Sequence, residues 1–197
     1  MEITGTKVLK KISNKSIIKS VDFSFKEGVN GLIGANGAGK TTLMRLITKY
    51  YKLSSGEIRI NLENDTNLFD NETMYYDNLG YLPQDFRGIS EFTVIEFLNY
   101  MKRAKNFSNK NNTVLEDLVD ILSLDKFLKY KLKNLSGGTL RRVGVLQALI
   151  NNPKILILDE PTAGLDPSER ISLKNYLNDI AENRIIIVST HIIQDIE

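Results

Sequence analysis

Cysteine is absent from the 197-residue chain, which excludes a disulfide framework and a thiolate metal site and points to a reducing, cytoplasmic setting. Histidine occurs once, at His191, so a multi-histidine metal centre is excluded as well. No apolar run approaches the roughly eighteen residues that a bilayer-spanning helix needs, and the N-terminus carries no signal-peptide-like apolar core. Work at a membrane would therefore call for another chain to supply the membrane part. An excess of charge is missing too: 26 Lys and Arg face 24 Asp and Glu, a formal net charge of +2. Without a clustered basic stripe, no nucleic-acid partner is expected. Internal repeats and extended low-complexity tracts are lacking.

What is present suits one compact α/β domain with a small subdomain: 42% of the residues are hydrophobic. Gly34-Ala35-Asn36-Gly37-Ala38-Gly39-Lys40-Thr41-Thr42 matches the G-x-x-x-x-G-K-[ST] phosphate loop, Walker A, in full. Val29, Leu32 and Ile33 before it read as a short buried strand; Leu43, Leu46, Ile47 and Tyr50 after it repeat at helical spacing. Strand, glycine loop and helix together aim backbone N–H groups and the helix's positive end at an anion. Lys40 is placed to reach β- and γ-phosphates and the Thr41 hydroxyl to sit on Mg²⁺.

Elsewhere, Val21-Asp22-Phe23-Ser24-Phe25-Lys26 alternates as a half-buried antiparallel strand. Ser54-Ser55-Gly56 reads as a turn before the alternating Glu57-Ile58-Arg59-Ile60, and the Asn/Asp-rich residues 61–78 as a surface loop. Leu79-Gly80-Tyr81-Leu82 is strand-like and ends at Pro83-Gln84. Val94, Phe97, Leu98 and Met101 share a helical face, residues 106–113 read as a linker, and Val114, Leu118 and Ile121 begin another amphipathic helix. These helical residues suggest an insertion, a small helical subdomain.

Leu135-Ser136-Gly137-Gly138 opens a helix in which Val143, Leu146, Leu149 and Ile150 point inward. Ile155-Leu156-Ile157-Leu158 and Ile185-Ile186-Ile187-Val188 read as parallel strands covered on both faces. Asp166-Pro167-Ser168-Glu169 is a helix start with a capping Asp, and Leu173, Leu177 and Ile180 mark the stripe behind it.

Asp159-Glu160 follows the first of those strands, at the sheet edge where ligands bind. An Asp there suits Mg²⁺, and the next Glu suits a water-orienting base. His191 ends the next strand, where an imidazole can meet a γ-phosphate. Gln84 ends a third, and its amide oxygen suits Mg²⁺ or its water. Each alone is as readily a strand end at solvent; behind an intact Walker A they gain weight together. Ser136, Gly137 and Gly138 form a second anion cradle at a helix start. One nucleotide site on one chain has no use for two, so this cradle suggests service to another chain's nucleotide.

With these motifs in this order, from about Val21 onward, the chain resembles the nucleotide-binding domain of ATP-binding cassette (ABC) transporters. The resemblance implies an α/β P-loop NTPase: a mainly parallel central sheet, an N-terminal antiparallel β subdomain and an inserted α-helical subdomain. Residues 1–84 and 135–197 would form the core and 85–134 the helical subdomain. It implies ATP with Mg²⁺, bound by Asn36, Gly37, Ala38, Gly39, Lys40, Thr41 and Thr42. Thr41, Gln84 and Asp159 would serve the metal, and Glu160, His191, Lys40 and Gln84 the hydrolysis. Ala163-Gly164-Leu165-Asp166 would be the D-loop.

The family's cassettes close head to tail, so that Ser136, Gly137 and Gly138 of one chain would face the nucleotide of a second cassette. A separate transmembrane permease would meet the segment after Gln84 and hold the pair at the cytoplasmic face of the membrane. Thr139-Leu140-Arg141-Arg142 looks most like exporter cassettes.

The chain departs from the family at Thr139, where Gln is usual, and near Ile12, where an aromatic residue usually stacks on adenine. Weaker or less base-selective nucleotide binding is the expectation. Chromosome-organising relatives would need a long coiled coil between Gly39 and Ser136, and a translation-factor relative would carry two cassettes. A regulatory cassette that binds nucleotide without driving transport is the alternative, against which Glu160 and His191 speak.

Overall fold

The computed structural model describes residues 1–61, 67–105 and 112–191. Strands β1 (Glu2–Ile12), β2 (Lys15–Lys26) and β4 (Ser55–Asn61) pair antiparallel in the order β2-β1-β4. Strands β3 (Gly28–Ile33), β5 (Leu79–Leu82), β6 (Ile155–Asp159) and β7 (Ile185–Thr190) form a parallel sheet in the order β3-β7-β6-β5. Helices α1 (Lys40–Ile47), α2 (Glu72–Asp77), α3 (Val94–Ala104), α4 (Asn112–Ile121), α5 (Gly137–Leu149) and α6 (Pro167–Asp179) complete the α/β fold expected from the sequence. None of the described helices is long and apolar enough to cross a membrane.

The parallel sheet is the middle layer, and strand periodicity explains why. Successive residues of a strand point to opposite faces, and both faces of β6 and β7 are covered. Ile155, Ile157, Ile185 and Ile187 join one core with α1 and the antiparallel sheet; Leu156, Leu158, Ile186 and Val188 join another with α3 to α6. Every residue of β6 and β7 is buried, and a fully buried aliphatic side chain contributes about 1.5–3 kcal/mol. Helix α5 is enclosed on most sides, with Val143, Leu146, Leu149 and Ile150 inward as the spacing requires.

Several expectations are corrected. The strand before the glycine loop is not buried as expected: Val29 and Leu32 are half-buried and Ile33 is 51% exposed, on a strand that among the described residues pairs on one flank only, with β7. Tyr50 does not extend the α1 stripe: the helix stops at Ile47, Lys49 turns left-handed, and Tyr50 is 70% exposed. β4 begins at Ser55, inside the expected turn. Residues 61–78 are not simply a loop, although 62–66 lie outside the described residues. A 3-10 turn at Leu68–Asp70 and α2 occupy this stretch, and its asparagines act as helix caps: Asn67 accepts from Phe69 N and Asn71 from Met74 N. Tyr75 is fully buried there, and its hydroxyl donates to the Ile47 carbonyl. Of the expected linker, 106–111 lie outside the described residues, and Asn112 and Thr113 open α4. Ile121 is 38% exposed; Leu118 and Leu122 carry the inward face instead.

Candidate functional site

All four parallel strands end at one edge, and each ends in polar chemistry. β3 runs into the glycine loop, β5 into Pro83-Gln84, β6 into Asp159-Glu160 and β7 into His191. In parallel sheets this carboxyl edge is where ligands sit. A cleft of about 400 Å³ lies there. Asn36, Gly37, Gly39, Lys40, Thr41 and Thr42 line one side, Gln84 and Glu160 another, and Lys15 and Ile17 of β2 close it.

The loop adopts a shape that only its glycines permit cheaply. Gly37 and Gly39 have φ of 80° and 97°, a region costly for residues with a Cβ. Gly39 caps α1 without a side-chain hydrogen bond, so no side chain competes for the first-turn amides. The Lys40 ammonium folds back onto the loop, donating to the Gly34 carbonyl at 2.5 Å and the Ala35 carbonyl at 3.1 Å. A phosphate entering the cleft would meet a cation already held at its rim.

Asp159, next to the cleft-lining Glu160, is not itself among the lining residues and is 1% exposed. Ser189 Oγ donates to its Oδ1 at 2.5 Å, and its Oδ2 has no hydrogen-bond partner among the described residues. A buried carboxylate oxygen without a partner is costly unless a ligand completes it. Thr41, Gln84 and Asp159 offer neutral or anionic oxygens, the donors that a hard divalent cation takes, so the residues fit Mg²⁺. Glu160 sits at φ 53°, its N–H bonded to Ser189 Oγ (2.9 Å) and O (3.2 Å). His191 Nδ1 stands 3.7 Å from Glu160 Oε1, with the imidazole 57% exposed.

Ser136, Gly137 and Gly138 do not line this cleft. Ser136 caps α5: its hydroxyl accepts from Thr139 N at 3.1 Å and lies 2.8 Å from Thr139 Oγ1. Arg142 Nη2 donates to Thr139 Oγ1 at 3.3 Å, while Nη1 meets the Leu122 carbonyl and Glu169 Oε1. Thr139, the departure noted in the sequence, is thus a buried partner of Ser136. A Cβ on Gly138 would lie 2.3 Å from the Gly164 carbonyl, so the start of α5 rests directly on the turn before α6.

Sequence reasoning missed Ser189, which bonds both Asp159 and Glu160, and Arg141, whose guanidinium bonds main-chain carbonyls beside Gln84 and Glu160. It also missed Lys15 and Ile17. A polar residue in an otherwise aliphatic strand, and a charge inside an enclosed helix, were the available signals. Ile12 is 39% exposed and is not among the residues lining the cleft.

Comparisons with known proteins bear on the family and the fold. The family model described as ABC transporter matches residues 18–163. An uncharacterized ABC transporter ATP-binding protein of Bacillus subtilis, YdbJ, is 32% identical over 196 residues, covering 95% of this chain and 60% of its own length. Nod factor export ATP-binding protein I of Rhizobium meliloti is 33% identical over 193 residues, covering 96% of this chain and 57% of its own. The chain thus spans about 60% of the length of these curated relatives. The dimeric structure of MJ0796, a bacterial ABC transporter cassette, superposes with a TM-score of 0.81 at 26% identity, covering 98% of this chain and 90% of that one.

Proposed function

As the chain belongs to the ABC transporter family, we propose that it binds and hydrolyses ATP as one of a head-to-tail pair of cassettes and so drives transport, most simply export, through a separate membrane permease. One observation carries the reading: the glycine loop, Gln84 and Glu160 line a single cleft, and His191 Nδ1 approaches the Glu160 carboxylate to 3.7 Å. The name of the Rhizobium relative, an export ATP-binding protein, supports the direction.

In this reading the phosphates of ATP take the N–H groups of residues 36–42, and Lys40 turns its charge from the Gly34 and Ala35 carbonyls to the β- and γ-phosphates. The Thr41 hydroxyl, Asp159 and the Gln84 amide oxygen would hold Mg²⁺, which would supply positive charge to the phosphates. Glu160 orients a water molecule for in-line attack and accepts its proton. His191 holds the γ-phosphate and, from its position beside Glu160, helps to place that water. Ser136, Gly137 and Gly138 of a second copy close the site over the γ-phosphate, so a lone chain binds ATP but turns it over poorly.

Residues 1–84 and 135–197 act as the ATPase core and 85–134 as the helical subdomain. The permease meets the segment after Gln84 and keeps the pair at the cytoplasmic face of the membrane; nucleic acid plays no part. A second cleft, of about 490 Å³, lies beside β5 with Tyr50, Tyr76 and Tyr81 in its lining, a surface suited to such a partner.

Glu160→Gln tests the assignment. The substitution keeps the shape and removes the base, so it should bind Mg-ATP, accumulate as an ATP-bound dimer in size-exclusion chromatography, and lose at least about a hundredfold in turnover. Steady-state phosphate release equal to that of the unmodified chain would sink the reading.

A further inference from the structure

Arg141 lies on α5, 7% exposed, and reaches the ends of two strands at once. Its Nη1 donates to the carbonyls of Pro83 (2.8 Å) and Gln84 (3.0 Å), and its Nε to the carbonyl of Glu160 (3.0 Å). Nη2 is buried and has no partner among the described residues. Burial pulls the guanidinium pKa down, while the Asp159 and Glu160 charges push it back up. Arginine stays ionised even so, and the three contacts are charge-assisted bonds.

These contacts fall where the backbone most needs holding. Glu160 has φ 53°, a left-handed conformation that costs a residue with a side chain about 1–2 kcal/mol. Three groups hold it there: Ser189 Oγ accepts from its N–H, and its carbonyl accepts from Arg141 Nε and from the Ala163 N–H at 3.1 Å. The peptide plane after Glu160 sets where the carboxylate points, and the plane after Gln84 does the same for the amide. Both planes are fastened to one rigid, planar fork.

We propose that Arg141 is a positioning residue that ties Gln84 to Glu160, so that a displacement of the Gln84 segment is carried through the guanidinium to the hydrolytic carboxylate. Arg141 is not among the residues lining the cleft, so it acts through the two backbone segments it bonds. The inference rests on the reading of Glu160 as the base. Lysine cannot substitute, because an ammonium is a point donor without the spread of a guanidinium.

The full-length protein, its Glu160→Gln variant, Arg141→Lys and Arg141→Gln would be compared in Mg-ATP hydrolysis, in equilibrium binding of a fluorescent ATP analogue and in thermal melting. Both Arg141 variants should bind the analogue within about threefold of the unmodified protein, while kcat falls at least about tenfold at unchanged KM, as misplacement of a catalytic group does. Gln84→Ala should lower kcat in the unmodified background and add little to Arg141→Gln, the non-additivity expected of coupled groups.

Should Arg141→Lys fail to fold, Arg141→Gln removes the buried charge and keeps an amide NH2 with two donors that can still meet a carbonyl. A kcat within about twofold of the unmodified protein in the folded variants would overturn the proposal. So would a joint fall of kcat, affinity and melting temperature, which marks a packing role alone. Equal hydrolysis by the unmodified protein and Glu160→Gln would defeat the underlying reading instead, and the two failures are told apart by that pair of proteins.

Discussion

Gly39 shows how little room the phosphate loop has. Its φ is 97°, and a Cβ would lie 2.9 Å from Ile18 Cδ1 and 3.4 Å from the Ile17 carbonyl. Gly39→Ala therefore asks for both a left-handed alanine and a shift of β2. The conformational term alone is about 1–2 kcal/mol, so Mg-ATP affinity by titration calorimetry should drop about tenfold or more; binding within twofold would contradict this account of the loop. Thr139 presents the opposite case, a polar side chain buried because it is fully used. Thr139→Val keeps the shape but takes the hydroxyl from Ser136 and from Arg142 Nη2. Leaving such a donor unpaired costs about 1–3 kcal/mol, to be read as a lowered urea midpoint at unchanged slope. An unchanged midpoint would show that the Ser136–Thr139–Arg142 chain stabilises nothing.

Helices α3 and α6 both begin in capping boxes, Thr93 with Glu96 and Asp166 with Glu169. The Asp166 carboxyl is held below its ordinary pKa first by the Glu169 backbone N–H and then by the Ser168 hydroxyl. That of Glu96 is lowered first by the Thr93 backbone N–H and then by the Thr93 hydroxyl. A carboxyl with a lower pKa folded than unfolded adds stability that is present above the ordinary carboxylate range. That stability is lost as pH falls through the lowered folded value. Thermal melting between neutral pH and pH 3 should show this acid loss, and Asp166→Asn, which keeps an acceptor oxygen without titrating, should flatten part of it. An identical acid profile in the variant would remove the α6 cap from the explanation. The α6 cap was legible beforehand in Asp166-Pro167-Ser168-Glu169, the α3 box was not read, and neither was α2, because Asn67 and Asn71 are turn formers and helix caps alike, and only the burial of Tyr75 separates the two uses.

As a whole, the molecule places the glycine loop in a cleft and the Ser136–Gly138 stretch outside it. Asn36, Gly37 and Gly39 to Thr42 line it with Gln84 and Glu160, whereas Gly137 and Gly138 lie against the turn before α6 and, with Ser136, do not line that cleft. If two copies share each site, turnover per chain should rise with protein concentration until the pair is saturated. The Glu160→Gln variant should sediment as a dimer with ATP and as a monomer without it. Turnover per chain independent of concentration, with a monomer throughout, would rule the shared site out.

Motif chemistry and strand periodicity belong to the sequence: a phosphate loop needs Gly, Lys and Thr at fixed offsets, and β6 and β7 declare themselves by unbroken aliphatic runs. Those patterns act over a few neighbouring residues, which is why local reading reaches them. What joins distant segments was decided only by the tertiary structure. Ser189 lies thirty residues from Asp159 and yet bonds it; Arg141 lies 19 from Glu160 and 57 from Gln84 and yet bonds both carbonyls. Side chains that act on another segment's backbone leave no spacing signal, because the carbonyl they hold is the same for every residue type.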